Sequence, residues 1–275
     1  MNIQQTIAGS KKIVIKFGSN SLAKDDGTIN LTFLNTIAQE CAMLIAQGKQ
    51  IIVVSSGAQI AGLSSINGWA HKKDMLYRQA LASIGQVELM SRWREAFKAQ
   101  NLHVAQLLFV KEDFEDYHHT LNMRNTLFTL VDEGVVPIIN ENDSVSFEEN
   151  SIGDNDNLSA LTAMLWNADL LILFSDIDGV YTDNPKTNPQ AKLIESVQDI
   201  DALLKDITIG NTNRFGTGGI RTKIEAAQKV TKAGIPLLLA NSRHEHPLTS
   251  LANGRERGTL FEANENSAFS MVTQN

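Results

Sequence analysis

The feature that most constrains this chain is an alternation. Short runs of β-branched and aliphatic residues are separated by stretches in which apolar residues return every three or four positions. Lys12–Phe17, Ile51–Val54, Val104–Val110, Val135–Ile139, Leu170–Phe174 and Ile235–Ala240 predict buried strands, and Gly258–Phe261 an edge strand. Leu31, Leu34, Ile37, Cys41 and Leu44 fall at helical spacing, with Gly48 as a stop. Leu76, Ala80, Ile84, Val87, Met90, Trp93 and Phe97 mark the apolar stripe of a long helix. Further helices are predicted over 121–131 and 157–166, and from Gly219 through Ile220, Ile224, Ala227 and Val230. Tyr181 to Ile194, rich in Asn, Pro and Asp, predicts hairpins and loops. Strands that are apolar throughout, each followed by an amphipathic helix, imply an α/β fold. Its expected form is a mostly parallel central sheet with helices on both faces, a three-layer αβα sandwich. Without repeats, linkers or low-complexity tracts, one domain is expected over 1–275, with an ordered core over 10–262.

Length and charge narrow the function. A chain of 275 residues can bury one large α/β core. A net charge of −7 and a pI near 5.4 argue against nucleic acid or an anionic membrane as the main partner. Met1–Lys12 is polar and lacks the apolar centre of a signal peptide, and no apolar run approaches the roughly 18–20 residues of a membrane span. The single cysteine, Cys41, reads as a core residue rather than a catalytic thiol, in a reducing compartment. A cytoplasmic location is expected.

In a parallel sheet the carboxyl ends of the strands share one edge, where ligands bind. Five polar or glycine-rich clusters follow predicted strands or open a helix. Gly18-Ser19 and Ser56-Gly57 can each present backbone N–H groups to an anion, although a Gly-Ser pair also suits an ordinary turn. Gly216-Thr217-Gly218-Gly219, with Lys223 just inside the next helix, suits a phosphate-cradling loop. Neither the Walker A spacing nor a dinucleotide fingerprint is present. Lys16 is anomalous in a strand of Ile, Val and Phe, and an ammonium facing a phosphate at the strand end accounts for it.

Two acidic clusters, Asn140-Glu141-Asn142-Asp143 and Gly153-Asp154-Asn155-Asp156-Asn157, flank a short segment between strand and helix. One of Asp154 and Asp156 suits the helix N-cap, leaving the other to orient a lysine or help hold Mg²⁺. Ser175-Asp176 ends a strand where a nucleotide's base or ribose could be met; a turn is the plainer reading. His118, His119, His244 and His246 lack metal-ligand spacing, so no metal ligand is assigned, and Trp69, Trp93 and Trp166 read as core or interface residues. Anion-binding glycines, two lysines and acids, with no evident general base, suit phosphoryl transfer to a nucleophile that is already ionised, such as a carboxylate.

Taken together, the segments Ile13–Ser19, Val54–Ala58, Ile138–Asp143, Gly153–Ala160, Asp176–Thr182 and Gly216–Lys223 resemble the amino acid kinase family, in the family's order. The paired Asn-Glu-Asn-Asp and Gly-Asp-Asn-Asp-Asn stretches resemble its glutamate-phosphorylating branch rather than its acetylglutamate, aspartate, uridylate or carbamate branches. The resemblance implies the amino acid kinase fold and ATP-dependent phosphorylation of the L-glutamate side-chain carboxylate, with Mg²⁺, as the first step of proline synthesis. On matching positions, Lys16 and Lys223 would stabilise the transferring phosphoryl group, with Asp156, assisted by Asp154, organising them. Ser56, Gly57, Asp143 and Asn155 would hold glutamate, and the loop 144–152 would close over it. Lys16, Gly18, Ser19, Ser175, Asp176, Thr217, Gly218, Gly219, Ile220, Arg221, Thr222 and Lys223 would hold ATP. It further implies homo-oligomers and feedback inhibition by proline. Many relatives carry a C-terminal PUA domain of about a hundred residues, which this chain is expected to lack, and Asn20 stands where a small hydroxyl residue is usual. A non-catalytic nucleotide- or amino-acid-binding regulator, or a kinase of another carboxylate or carbamate, is the alternative.

Overall fold

A computed structural model describes residues 2–66, 74–146, 155–185, 187–209 and 219–264, with the backbone alone for 206–209. In chain order the elements are α1 (Ile3–Gly9), β1 (Lys12–Phe17), α2 (Ser19–Leu22), α3 (Leu31–Ala46), β2 (Gln50–Ser55), α4 (Ala58–Ser65) and α5 (Met75–Lys98). There follow β3 (His103–Phe109), a 3₁₀ turn (Lys111–Phe114), α6 (Tyr117–Asp132) and β4 (Val135–Glu141). The remainder comprises α7 (Asn155–Trp166), β5 (Leu170–Ser175), β6 (Ser196–Val197), α8 (Ile200–Ile209), α9 (Gly219–Lys232), β7 (Leu237–Asn241), α10 (Pro247–Ala252) and β8 (Gly258–Phe261). The chain divides into two compact units: Met1–Lys16 with Asp156–Asn275 (unit one), and Phe17–Asn155 (unit two).

Unit one carries the strand order β1-β5-β7-β8-β6. The strands β5 and β7 run parallel, with Ser175 opposite Asn241, and β8 pairs antiparallel with β7. All six residues of β5 are buried, as a strand covered on both faces requires. Asp169 fixes the start of β1, its Oδ2 accepting from the backbone N–H groups of Lys11 and Lys12 at 2.8 Å each.

Unit two carries β3-β4-β2, all parallel, with Val53 opposite Ile138 and Phe109 opposite Glu141. The register brings Ser55 and Asn140-Glu141 to the same carboxyl edge. The core beneath is aromatic: Phe17 packs edge-on to Phe33 at 5.6 Å, and Trp93 lies 6.2 Å from Phe17 and 5.9 Å from Phe97. The Trp93 indole N–H donates to Ser55 Oγ at 2.9 Å, so the buried ring loses no hydrogen bond. Cys41 is buried as expected, and desolvation pushes its thiol pKa far up, consistent with an inert core group.

The first half of α5 departs from the expected stripe. Leu76, Ala80, Ile84 and Val87 are exposed, Leu76 and Val87 by 72% and 74%, whereas Leu81, Ala82, Gly85, Gln86 and Leu89 are buried. The cause is the approach of α4. A Cβ on Gly85 would lie 1.7 Å from the Ala58 carbonyl oxygen, and one on Gly62 would lie 2.3 Å from that of Leu81. The two helices touch backbone to backbone, so the small residues face inward and the larger ones outward. From Leu89 onward the stripe regains its expected phase at Trp93 and Phe97. Helices α1, α4, α8 and α10 were beyond the periodicity, each spanning three turns or fewer. Trp166 is in the core as expected, and Trp69 lies outside the described residues.

Replacing Gly85 by alanine sets a helix-propensity gain of about 1 kcal/mol against a backbone clash. The clash wins: a net loss of about 3 kcal/mol is expected from overpacking. Thermal denaturation should show the midpoint falling by roughly 6–12 °C; an unchanged midpoint would mean that α4 and α5 do not pack this closely.

Candidate active site

Three charged side chains meet in unit one. Lys16, on β1, and Lys223, on α9, both donate to the carboxylate of Asp156, on the first turn of α7. Lys16 Nζ bonds Asp156 Oδ1, and Lys223 Nζ bonds Oδ2 at 2.8 Å. Thr222 Oγ1 adds a longer contact to Oδ2 at 3.3 Å. Asp156 is wholly buried, and Lys16 and Lys223 are 3% and 9% exposed. Burial alone would raise the Asp156 pKa, but the charges of Lys16 and then Lys223 outweigh it and hold the carboxyl at about 2. The helix start, with its partial positive charge, favours the same ionised form. Asp156 therefore lies inside the helix and is no N-cap; Asp154 lies outside the described residues.

Lys223 spends one further N–H on the Gly219 carbonyl, at 3.3 Å, leaving one of its three donors for a ligand. It also lines a cavity of about 420 Å³, large enough for a small-molecule site. The cavity opens at the carboxyl ends of β5 and β7, where Ser175, Asp176 and Asn241 meet Gly219 and Ile220 at the start of α9. Asp176 is exposed and accepts from Ser175 Oγ at 3.2 Å. Asp178, also in the wall, is committed to structure: it accepts from Asn241 Nδ2 and from the Tyr181 hydroxyl, each at 2.8 Å. Burial and this bond push the Tyr181 pKa up to about 12.

Unit two presents a different chemistry. Gly57, in the left-handed region at φ 103°, starts α4 directly after Ser56, a conformation that favours glycine. The Ser56 N–H donates to the Phe17 carbonyl at 3.1 Å, holding the turn. Asn155 Nδ2 donates to Ser56 Oγ at 2.6 Å and to Asn140 Oδ1 at 3.0 Å, joining two residues predicted for the amino acid. Asp143 is half-buried; desolvation, reinforced by Glu141 and opposed by Arg78, raises its pKa to about 6. The loop after β4 is held at its start, Ser146 O accepting from Gln79 Nε2 at 2.7 Å and Ser146 Oγ donating to Glu141 at 2.6 Å. Residues 147–152 of the expected closing loop lie outside the described residues.

The remaining predicted positions divide. Gly18 and Ser19 open the short helix α2 after β1. Gly219, Ile220, Thr222 and Lys223 gather at the cavity or at Asp156, whereas Arg221 points to solvent and pairs with Glu225 at 2.8 Å. Thr217 and Gly218 are outside the described residues. Residue patterns missed Gln86 and placed Asn140 in the acidic cluster without a role of its own; their side chains bond each other at 2.8 Å. The available signal was an amide seven residues before Trp93, on the same helical face. Among the described residues no three His, Cys, Asp or Glu side chains converge on a metal position, and His119 and His244 are far from buried.

The family model of the amino acid kinase family matches residues 11–241. Similar curated proteins include a glutamate 5-kinase of Alkaliphilus metalliredigens, 57% identical over 95% of this chain and 99% of that protein. A glutamate 5-kinase of Treponema pallidum is 46% identical over 94% of this chain and 98% of that protein. Among solved structures, the UMP kinase of Ureaplasma parvum superposes with a TM-score of 0.64 at 16% identity, covering 92% of this chain and 98% of that one. The UMP kinase of Bacillus anthracis does so at 0.62 and 18%, over 93% and 97%. The mostly parallel α/β class inferred from the residue pattern is thus the fold these kinases share. With the family's match extending over most of the chain and its lysines and aspartate meeting in one buried cluster, the chain belongs to the amino acid kinase family.

Proposed function

We propose that this protein transfers the γ-phosphoryl group of ATP to the side-chain carboxylate of L-glutamate, giving L-glutamyl 5-phosphate and ADP, the first step of proline synthesis. The observation that carries the reading is the buried pairing of Lys16 and Lys223 on Asp156. A carboxylate oxygen of glutamate forms the new bond to phosphorus while the bond to the bridging oxygen of ADP breaks. No proton has to be removed, which suits a site whose described charged groups are two ammonium groups and a carboxylate already engaged by both. Asp156 keeps both ammonium groups placed and charged, and they offset the negative charge that spreads over the transferring group. The cavity beside Lys223 suits ATP, with Ser175, Asp176 and Gly219 in its wall and the N–H groups at the start of α9 toward phosphate. Gly18, Ser19, Thr217, Gly218, Ile220, Arg221 and Thr222 complete the segments assigned to the nucleotide.

Ser56, Gly57, Asp143 and Asn155 are assigned to glutamate, Asp143 to its α-ammonium. The substrate choice is supported by relatives named glutamate 5-kinase at 46–57% identity. Magnesium supplies charge neutralisation on the nucleotide. The described residues, with the Asp156 oxygens already turned to lysines, suit an ion held chiefly by phosphate oxygens and water, as Mg²⁺ commonly is. Asp154 is kept as an assistant to Asp156. We read residues 1–275 as a single amino acid kinase domain with its core over 10–262, a range that contains the whole of the family match. No helix among the described residues is long and apolar enough to cross a membrane, and a cytoplasmic enzyme acting on small molecules, not nucleic acid, is the corresponding reading. Self-association is supported by the exposed apolar stripe of α5, and sedimentation velocity tests it: a monomer at every concentration would remove that part.

A panel of glutamate, acetylglutamate, aspartate and carbamate, assayed for ADP release with and without proline, should show turnover with glutamate that proline lowers. Lys223→Ala should keep the parent's circular dichroism at 25 °C with a lowered thermal midpoint, because Asp156 loses one of its two ammonium partners, and lose about 10²–10³-fold in kcat. Turnover on another acid but not glutamate would sink the substrate, and undiminished turnover in the variant would sink the catalytic assignment.

The raised pKa of Asp143 sets a pH dependence. Only the ionised carboxylate pairs with an ammonium group, so binding competence is present above about 6 and is lost as pH falls through it. Asp156, at about 2, does not titrate in this window. The kcat/KM for glutamate should therefore fall below pH 6. Asp143→Asn should lower it above about pH 6, to near the parent's low-pH value, and so remove that limb; a variant that keeps the limb would assign it elsewhere.

A further inference from the structure

Four polar side chains of unit two form an unbroken chain of hydrogen bonds with a direction. Asn155 Nδ2 donates to Ser56 Oγ at 2.6 Å and to Asn140 Oδ1 at 3.0 Å, and Asn140 Nδ2 donates to Gln86 Oε1 at 2.8 Å. The two ends of an amide differ, one donating and the other accepting, so fixing one end fixes the other. Because Asn155 spends its NH₂ on two acceptors, its Oδ1 remains a buried acceptor without a protein partner. Because Ser56 Oγ accepts from Asn155, its O–H remains to donate. One acceptor and one donor are what the ammonium and carboxylate of an α-amino acid ask for.

Asn140 is 2% exposed and could meet Asn155 with either end of its amide; its orientation is decided on its far side, by Gln86. Gln86 is itself 8% exposed, and its Nε2 is buried without a partner, a state that buried amides normally avoid. Leucine or methionine would fill the same space without that unpaired N–H. The bond it accepts from Asn140 is thus what the amide contributes here. The backbone contact of the neighbouring Gly85 with α4 holds this stretch of α5 in place. Gln86 also lines a cavity of about 210 Å³ with Glu141 and Asp143, so the chain of amides begins beside the carboxylate assigned to the α-ammonium.

We propose that Gln86 is a positioning residue for the amino acid substrate: by accepting from Asn140 it sets the polarity of the relay, leaving Asn155 to accept from the α-ammonium and Ser56 to donate to the α-carboxylate. The inference rests on the assignment of glutamate to this site. Gln86 touches no reacting atom; it acts through two other side chains.

Steady-state kinetics on the whole chain at pH 8, with glutamate and ATP each varied, test it in the parent, Gln86→Met and Gln86→Glu. Gln86→Met removes the acceptor at similar volume, and the KM for glutamate should rise about tenfold, the equivalent of one hydrogen bond. The KM for ATP and kcat should stay within about twofold, which a general loss of packing would not produce. Gln86→Glu keeps the acceptor and drops the unpaired N–H but adds a carboxylate beside Glu141 and Asp143, so its KM for glutamate should rise less than that of Gln86→Met without matching the parent's. An unchanged KM in Gln86→Met, an equal shift in the ATP KM and kcat, or a loss in Gln86→Glu as large as in Gln86→Met would overturn the relay. Should Gln86→Met fail to fold, Gln86→Leu, which also removes the acceptor, takes its place under the same criteria. A parent without turnover on glutamate would remove the functional reading as well, whereas an active parent with an unaffected Gln86→Met variant removes the relay only.

Discussion

The contact on which this site depends is the salt bridge of one buried carboxylate with two lysines. Asp156 has no exposed surface, and Lys16 occupies a strand whose neighbours are Ile15 and Phe17. An ammonium and a carboxylate each lose several kcal/mol of hydration in such a place, and removing one partner of a buried pair typically costs about 3–5 kcal/mol because the other is left unpaired. Each of the three charges is tolerable only because the others are present. The cluster therefore specifies where β1, α7 and α9 must lie in unit one, and it does so with the same ammonium groups that the proposed mechanism uses. Lys223 shows the double use: two of its donors are structural, to Asp156 and the Gly219 carbonyl, and it still borders the cavity.

The amino acid site proposed in unit two is built chiefly of neutral groups. Ser56, Asn140, Asn155 and Gln86 carry no net charge, and the ionisable member, Asp143, already has its pKa raised to about 6 by burial and by Glu141. The contrast follows the ligands. A transferring phosphoryl group carries negative charge that must be offset, so charges belong beside it. An amino acid zwitterion is recognised by direction instead, with an acceptor toward one end and a donor toward the other. Amides supply direction without adding charge to a partly desolvated pocket. Consecutive residues, Asn155 and Asp156, are the ones assigned to the two proposed chemistries, and each sits at the start of the same helix.

How much of this was legible in the sequence depended on the kind of signal. The strands β1, β4 and β5 were readable because they are apolar along their whole length, and Lys16 stood out against that background. Residue types alone left Asp154 and Asp156 as alternatives, since capping and lysine-holding carboxylates look alike before a helix; the family resemblance singled out Asp156, and the packing shows it between both lysines. The α5 stripe misled because apolar spacing was taken to show which side faces inward. There the close contact at Gly62 and Gly85 overrode it, turning Leu76 and Val87 outward and Gln86 inward. A glycine in a long helix is a weak signal alone, and its meaning came from the second glycine in a helix more than twenty residues earlier.

That glycine contact also joins fold to site. Helix α5 can bring a side chain to the level of Asn140 only if it approaches α4 without side chains between them, since α4 starts at the Ser56-Gly57 turn. A larger residue at 62 or 85 would part the helices by the width of a side chain, a displacement larger than the tolerance of a 2.8 Å hydrogen bond between Gln86 and Asn140. The orientation of the amides at the amino acid site is thus set by backbone packing some distance from it. The small residues at 62 and 85 and the amide at 86 thus meet one geometric condition, and changing any of them should disturb the proposed amino acid site before it disturbs the charged cluster.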